Sequence, residues 1–254
     1  MALVNSEGIV LRVRDLGEAD RLLTILGDAG GKYRAVARGA RRPRNRLVAA
    51  AQPFVHARFS LFKGSGLHAI SQCEVKESFR GLREDLSAFA HASYAVELVD
   101  EFAREGDEAQ ALFYTLLNYL HLLAAGRTNP LLRRAFELRM LDIGGFKPQF
   151  EACAACGRAV AENPVPFGPA AGGLLCPACA GKEATVVVGR DTVAAANMLL
   201  RLELSRAGTV HCTEKARAEL GRLLDRHLLH RLGRSLKTLS FLTELSATEV
   251  SPDG

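Results

Sequence analysis

Two pairs of cysteines constrain the fold of this chain more than any other feature of its sequence. The pairs, "CAAC" and "CPAC", give the spacing C-x2-C-x19-C-x2-C. Each pair can direct two thiolates at one point, and two pairs complete a tetrahedral zinc site with Zn–S distances of about 2.3 Å. The spacing therefore predicts a small loop-rich module around one structural zinc ion (Zn2+). The predicted ligands are Cys153, Cys156, Cys176 and Cys179.

Two disulfides or unreacted core thiols are the alternatives to this site. Catalysis at the metal is disfavoured, because four thiolates leave no coordination position for water. Zinc deaminases also need a His-x-Glu upstream of their Cys-x2-Cys, and none of the seven histidines provides it. The chain has no P-loop, Gly-x-Ser-x-Gly or His-Glu-x-x-His motif. We expect a protein that is not an enzyme; the alternative, a zinc-dependent nucleic-acid enzyme, would require an open metal position.

Apolar and polar residues alternate up to about residue 78. "GIVLRVR" places Ile9, Leu11 and Val13 on one face of a strand, and "FVHARFSLF" does the same for four apolar residues beginning at Val55. Turn residues such as "GDAGG" and "KGSG" separate the runs. About five short antiparallel strands in this length predict a small closed β-barrel. The strand count alone leaves an OB-fold and an SH3-like barrel open.

After residue 80 the apolar residues recur at spacings of three and four, which is typical of amphipathic helices. One helix has clear boundaries: Asn129 is the predicted N-cap, Pro130 the first helical residue and Gly144-Gly145 the stop. Further helical stretches are predicted at 190–206 and 213–245. The predicted domains are a barrel over 1–78, a helical domain over 80–147 and 183–246, and a zinc module over 148–182.

Positive charge is concentrated near the N-terminus. Residues 1–80 hold 14 Lys and Arg against 7 Asp and Glu, whereas the rest of the chain holds 19 against 21. No carboxylate lies between Asp28 and Glu74. A solvated surface usually mixes charges, so a region of one sign indicates a polyanionic partner such as nucleic acid. The predicted phosphate-binding residues are Lys32, Arg34, Arg38, Arg41, Arg42, Arg44 and Arg46.

Two other interpretations of this basic stretch stay open. It is either a solvated loop without a ligand, or a binding site for the acidic tail of a protein partner. Aromatic residues that could add base stacking lie nearby, but core packing accounts for them as well. Other polar groups are interpreted as surface residues of helices, namely Arg133, Arg134, Arg139, His227 and His230.

Four segments resemble the bacterial DNA repair mediator RecO over nearly the whole chain. They are "GIVLRVRDLGEADRLLTIL", "GGKYRAVARGARRPRNRL", "RAFELRMLDIGGFKPQFEACAACG" and "LLDRHLLHRLGRSLKTLSFL". The third is the most specific, because it joins a helix, a glycine stop, a proline and the first cysteine pair. The resemblance implies an α+β fold with an N-terminal OB-fold barrel, an α-helical domain and an inserted four-cysteine zinc module.

The resemblance also implies a function in DNA repair, DNA damage response and DNA recombination. Members of this family bind single- and double-stranded DNA, anneal complementary strands and, with RecR, help to load RecA on DNA coated by single-stranded DNA-binding protein (SSB). They bind the C-terminal tail of SSB through the helical domain, where Arg133 and Arg139 are candidates here. The alternative is a non-catalytic interaction scaffold whose basic loop binds an acidic protein. Since no apolar run reaches 18 residues, we expect a cytoplasmic protein without membrane contact.

Overall fold

The computed structural model describes residues 3–181 and 184–249. They fall into two compact units, the first bounded as Met1–Gly126 with Leu236–Gly254 and the second as Arg127–Ser235. This grouping follows spatial contacts, whereas the three domains inferred above follow sequence patterns, and that division stays a prediction. Its boundary at 182/183 lies outside the described residues.

The N-terminal half of the first unit is a closed five-stranded barrel with the strand order β1-β2-β3-β5-β4. Neighbouring strands are antiparallel except β3 and β5, which are parallel. This order confirms the OB-fold and excludes the SH3-like alternative. The strands are β1 (Leu3–Leu16), β2 (Asp20–Gly27), β3 (Lys32–Ala37), β4 (His56–Phe62) and β5 (His68–Glu77).

One predicted strand face is wrong. Val10 and Val13 contact the barrel core, because the register with β2 shifts between Val10 and Arg12. Such a β-bulge inserts one residue and reverses the in–out alternation beyond it. Ile9 instead pairs with Leu26 and is buried outside the barrel core. The prediction for β4 is confirmed, since its apolar residues Ala57, Phe59 and Leu61 line the core.

Residues 38–55, the β3–β4 segment, close one side of the barrel. They form successive turns, and five of their small and apolar side chains join the barrel core: Ala40, Leu47, Ala50, Ala51 and Val55. Polar bonds hold the segment as well: Arg21 Nη1 donates to the Ala51 carbonyl at 2.7 Å, and the Gly39 amide donates to Asp20 Oδ1 at 2.8 Å. The basic loop predicted from the sequence is therefore anchored on the barrel.

Four helices complete the first unit: α1 (Arg80–Glu84), α2 (Leu86–Phe102), α3 (Gln110–Ala124) and, from the C-terminal end, α8 (Lys237–Glu249). The carboxylate of Glu97 on α2 accepts the backbone amides of Lys237 and Thr238 at 3.0 and 2.9 Å. These amides lie in the first turn of α8 and have no partner within the helix. Glu97 thus fixes α8 on α2 by capping it from another element.

The second unit contains helices α4 (Pro130–Ile143), α5 (Pro177–Ala180), α6 (Arg190–Arg201) and α7 (Glu214–Leu232), strands β6 (Val165–Gly168), β7 (Gly173–Leu174) and β8 (Val186–Val188), and a 3₁₀ helix (Leu204–Thr209). The predicted boundaries of α4 are confirmed: the Asn129 side chain accepts the Leu131 amide at 2.7 Å, and Gly145 has φ 77°. The stretch predicted at 213–245 is two helices, because Gly233 adopts φ 69° and ends α7.

The arginines of α4 are not a solvated helix face. Arg134 Nη1 lies 2.8 Å from Glu137 Oε2 and 2.7 Å from Asp225 Oδ1, and the Glu137 side chain is fully buried. Arg133 Nε lies 3.4 Å from the other Glu137 oxygen. Arg139 donates to the Leu202 carbonyl at 3.1 Å. Asp225 follows Arg134 by 91 positions, so the sequence spacing offered no sign of this pairing.

His227 is another correction, because this predicted surface histidine is fully buried. Its ring nitrogens lie 3.0 Å from the Phe146 carbonyl and 3.2 Å from the Pro169 carbonyl. Burial lowers the pKa of His227 below its usual value. His230, one turn on, is exposed as expected. Within the described residues, no helix combines the length and the hydropathy needed to cross a membrane.

Candidate metal centre and nucleic-acid interface

The four paired cysteines converge on one point of the second unit. Their sulfur atoms all lie within 4.8 Å of one another, and Cys156 Sγ is 3.8 Å from Cys176 Sγ. A tetrahedron with Zn–S distances of about 2.3 Å has sulfur–sulfur edges of about 3.8 Å. Disulfides require about 2.05 Å, and all of these cysteines are free. The convergence of the predicted ligands is confirmed, and the donor set fits a metal ion.

Local backbone structure aims each pair of thiols. In the first turn the Cys153 carbonyl accepts the amide of Gly157 at 2.8 Å, and Gly157 turns the chain with φ 73°, which favours glycine. In the second, the Cys176 carbonyl accepts the amides of Cys179 and Ala180 at 2.9 and 3.0 Å. Each Cys-x2-Cys is thus a tight turn that presents two sulfur atoms on one side.

The close packing of the thiols shifts their pKa values in opposite directions. The Cys176 amide donates to the Cys153 sulfur and, with two further amides, lowers the pKa of that thiol to about 6. The neighbouring thiols, Cys176 foremost, raise the pKa of Cys179 to about 12. Backbone amides stabilise the Cys153 thiolate, whereas hydrogen bonds with neighbouring thiols and burial disfavour the Cys179 thiolate. Soft thiolates at tetrahedral positions favour zinc among the common divalent ions.

The predicted DNA-binding residues divide into two groups. Four of the arginines are exposed, and none has a side-chain hydrogen bond or ion pair with any residue of 3–181 or 184–249: Arg34, Arg38, Arg42 and Arg44. Because the β3–β4 segment is anchored on the barrel, these guanidinium groups extend from a fixed backbone. They are available to an external anion, and their role in binding DNA stays a prediction.

The other three predicted residues also hold the structure together. Arg41 donates to the Gly17 carbonyl at 2.7 Å, and Arg46 donates to the Ser71 carbonyl at 2.9 Å. Lys32 is half-buried, and its Nζ lies 2.9 Å from Asp100 Oδ1 on α2. Lys32 is therefore occupied by a carboxylate of the same unit, whereas Arg41 and Arg46 remain exposed beside their carbonyl partners.

Arg14 belongs to this basic surface but was not predicted from the sequence. Strand pairing aligns Arg14 with Leu22 and Val36, and the next row of the same outer face aligns Arg12 with Thr24 and Arg34. Arg14 is exposed, so it extends the basic surface from β3 across to β1. The period-two pattern could have placed Arg14 on an outer face, but only the register places it near Arg34.

Aromatic side chains contribute little to this surface. Phe54 and Phe59 are buried, and Tyr33 packs against the barrel core. Phe62 is 40% exposed, but it lies at the end of β4 and pairs with Leu3 rather than with β2 or β3. The two rows of the outer face described above contain arginine, threonine and aliphatic residues alone. The surface is therefore suited to phosphate groups more than to stacked bases.

Comparison with known proteins accounts for both units. Residues 1–79 match the family model described as Recombination protein O N terminal, and residues 83–240 match Recombination protein O C terminal. Together the two models span almost the whole described chain, including the barrel and the cysteine cluster.

Full-length relatives agree with these matches. DNA repair protein RecO of Symbiobacterium thermophilum is 44% identical, with 96% of this chain and 98% of the relative covered. The RecO proteins of Desulforamulus reducens and Anaeromyxobacter sp. are 38% and 40% identical, with 96% of this chain covered in each case and 96% and 98% of the relative. Since the relatives are matched over nearly their full length, the chain belongs to the RecO family of DNA repair proteins.

Proposed function

We propose that this protein is a non-catalytic recombination mediator that binds single- and double-stranded DNA and anneals complementary strands. The observation that carries the proposal is the set of exposed arginines on β3 and on the anchored β3–β4 segment that have no side-chain partner in the described part of the chain. Guanidinium groups match phosphate geometry, and their binding releases condensed counterions. A surface that neutralises the phosphates of two strands lowers the repulsion between them, which favours pairing.

The basic surface contacts the phosphate backbone of DNA and not the base edges that carry the sequence. Arg34, Arg38, Arg42 and Arg44 have no side-chain partner within residues 3–181 and 184–249, and Arg14 lies on the same barrel face as Arg34. If these five contact one strand, the slope of log K against log salt is about −0.7 × 5, or roughly −3.5. Raising the salt concentration from 50 to 200 mM then weakens binding on the order of a hundredfold.

A salt titration of single-stranded DNA binding, measured by fluorescence anisotropy, tests this proposal. A homopolymer and a mixed sequence of equal length should give the same affinity and slope, because phosphate contacts carry no sequence information. An acidic peptide serves as the competing ligand for the scaffold alternative. Binding of the peptide together with no salt-dependent binding of DNA would replace the proposal by that scaffold.

The four cysteines bind one structural zinc ion in this proposal. Purified protein should carry close to one zinc per chain, measured by plasma emission. Cys156→Ser or Cys179→Ser should lower stability far more than a surface substitution, since structural zinc contributes folding free energy directly. Protein prepared without chelator that contains far less zinc would contradict this assignment. No nuclease, deaminase or nucleotide hydrolysis activity is expected from the closed donor set.

The remaining proposals concern partners and follow from family membership. We infer that the protein acts in the cytoplasm with RecR to help load RecA, and that its helical part binds the acidic, apolar-ended tail of SSB. Arg133 and Arg139, the earlier candidates for this tail, are engaged with Glu137 and the Leu202 carbonyl. They would have to exchange those partners to bind a peptide. Calorimetry of the full chain with the tail peptide tests this step, and absence of heat and of competition would refute it.

A further inference from the structure

Arg158 connects the two cysteine pairs through its side chain. Its Nε lies 3.4 Å from Cys156 Sγ in the first pair, and its Nη2 lies 4.0 Å from Cys176 Sγ in the second. The planar guanidinium presents several donors in a fixed geometry, so one side chain can serve two sulfur atoms. Arg158 is thus a cation that contacts both halves of the donor set.

The position of Arg158 is set by the backbone and not by the sulfur contacts. The Cys153 amide donates to the Arg158 carbonyl at 2.8 Å, and Ala152 pairs with Ala159 in an antiparallel bridge. The turn at Gly157 returns the chain so that the residue after it lies beside the thiols. A substitution of the Arg158 side chain therefore leaves the backbone of this short hairpin in place.

Charge gives this contact a function. Four thiolates around a divalent zinc ion carry a net charge of about −2, and the described part of the chain shows no second side-chain cation in contact with these sulfur atoms. N–H···S bonds from a cation lower the electron density on the sulfur atoms and the repulsion among them. Outer partners of metal ligands commonly change metal affinity by about 10–100-fold.

We propose that Arg158 is a positioning residue of the metal centre, which holds Cys156 and Cys176 in the metal-binding geometry and offsets the negative charge of the four thiolates. The inference rests on the proposed binding of zinc by these cysteines. Because Arg158 is exposed, solvent screens its charge and the expected effect lies at the low end of that range.

Competition for Zn2+ between the full-length protein and a chelator of known affinity tests the role of Arg158. Arg158→Gln should weaken zinc binding about tenfold. Arg158→Lys should weaken it less, because lysine keeps the positive charge but lacks the planar set of N–H donors of a guanidinium. Arg201→Gln is the control, since Arg201 is an exposed arginine of the same unit that contacts no sulfur among the described residues. Circular dichroism of each zinc-loaded variant verifies that it is folded.

Cobalt substitution supplies a readout that a purely structural role would not change. Loss of the N–H···S bonds raises the energy of the sulfur lone pairs, so the thiolate-to-Co2+ charge-transfer band should shift to longer wavelength in Arg158→Gln and not in Arg201→Gln. Parental zinc affinity and an unshifted cobalt band in Arg158→Gln would overturn the role of Arg158. A parent protein that binds neither ion would instead refute the metal site itself.

Discussion

Adjacent arginines occur in both units of this protein, and they have opposite environments. Arg41 and Arg42 lie on the β3–β4 segment, where both are exposed and Arg42 has no side-chain partner among the described residues. Arg133 and Arg134 lie on α4, where Glu137 pairs with both. The same residue type therefore remains accessible to solvent in one unit and supports the internal structure in the other.

The number of carboxylate groups near the arginines explains this difference. Glu137 follows Arg133 and Arg134 by one helical turn, and Asp225 reaches Arg134 from α7. Burial by itself lowers the pKa of the Arg134 guanidinium, but the two carboxylates outweigh it and raise the pKa. No carboxylate lies between Asp28 and Glu74 in the sequence, so the arginines of the β3–β4 segment have few internal candidates. An arginine-rich segment whose fold leaves the charges unpaired is available to an external anion.

Removal of the buried Arg134 should lower the stability of the protein more than removal of any exposed arginine. Arg134→Ala leaves the fully buried Glu137 without its closest cation, so the free energy of unfolding should fall by about 3–5 kcal/mol. Urea denaturation followed by circular dichroism measures it. The matched substitution Arg42→Ala should change stability by less than about 0.5 kcal/mol. Equal effects of the two substitutions would show that the buried ion pairs of Arg134 add nothing to stability.

Removal of two exposed arginines should weaken DNA binding. The double variant Arg42→Ala/Arg44→Ala should weaken single-stranded DNA binding on the order of tenfold at 0.1 M salt and reduce the salt slope by about 1.4, since two phosphate contacts are lost. The loss should be equal for all sequences. Arg201→Ala/Arg206→Ala removes the same charge from exposed sites of the second unit and is the control. An unchanged slope in the first double variant would assign the β3–β4 segment to a protein partner.

Gly221→Ala tests how firmly the Arg134 guanidinium is held in place. Gly221 lies within α7, where alanine normally adds about 1 kcal/mol of stability. Here a Cβ would lie 2.8 Å from Arg134 Nη2, and two carboxylates prevent that guanidinium from moving away. Gly221→Ala should therefore destabilise the protein by about 1 kcal/mol. In an Arg134→Ala background it should become stabilising, and a double-mutant cycle measures this reversal. The same sign in both backgrounds would refute the steric explanation.

Arg41 is intermediate between the exposed and the buried arginines, and its removal should change stability and DNA binding only slightly. Its guanidinium donates to the Gly17 carbonyl and lies 3.4 Å from Asp15, yet it stays exposed. Arg41→Ala should lower stability by less than about 1 kcal/mol and reduce the DNA salt slope by less than Arg42→Ala does. Thermal denaturation and anisotropy measure the two quantities. A slope change larger than that of Arg42→Ala would show that internal contacts do not limit phosphate binding.

Much of the fold was predictable because its signals are local. The turn residues between strands, the Asn129 cap and the Gly144-Gly145 stop act within a few positions of one another, and the structure confirms each of them. The break at Gly233 was missed because the apolar pattern continues on both sides of it. Of the metal centre, sequence spacing predicted all four cysteines but not Arg158, whose distance to two sulfur atoms depends on how the turns fold.

The cysteine pairs, the helix boundaries and the carboxylate-free basic stretch are visible in the sequence, because each depends on residues close together in the chain. Which charges are paired within the described residues depends on the three-dimensional fold. The bulge between Val10 and Arg12 set which side chains enter the barrel, strand register placed Arg14 and Arg34 on one face, and Asp225 met Arg134 from another helix. These outcomes depend on contacts between residues far apart in the chain. The energy of an ion pair depends on the distance between its charges and on their burial, and neither quantity follows from the order of the residues alone.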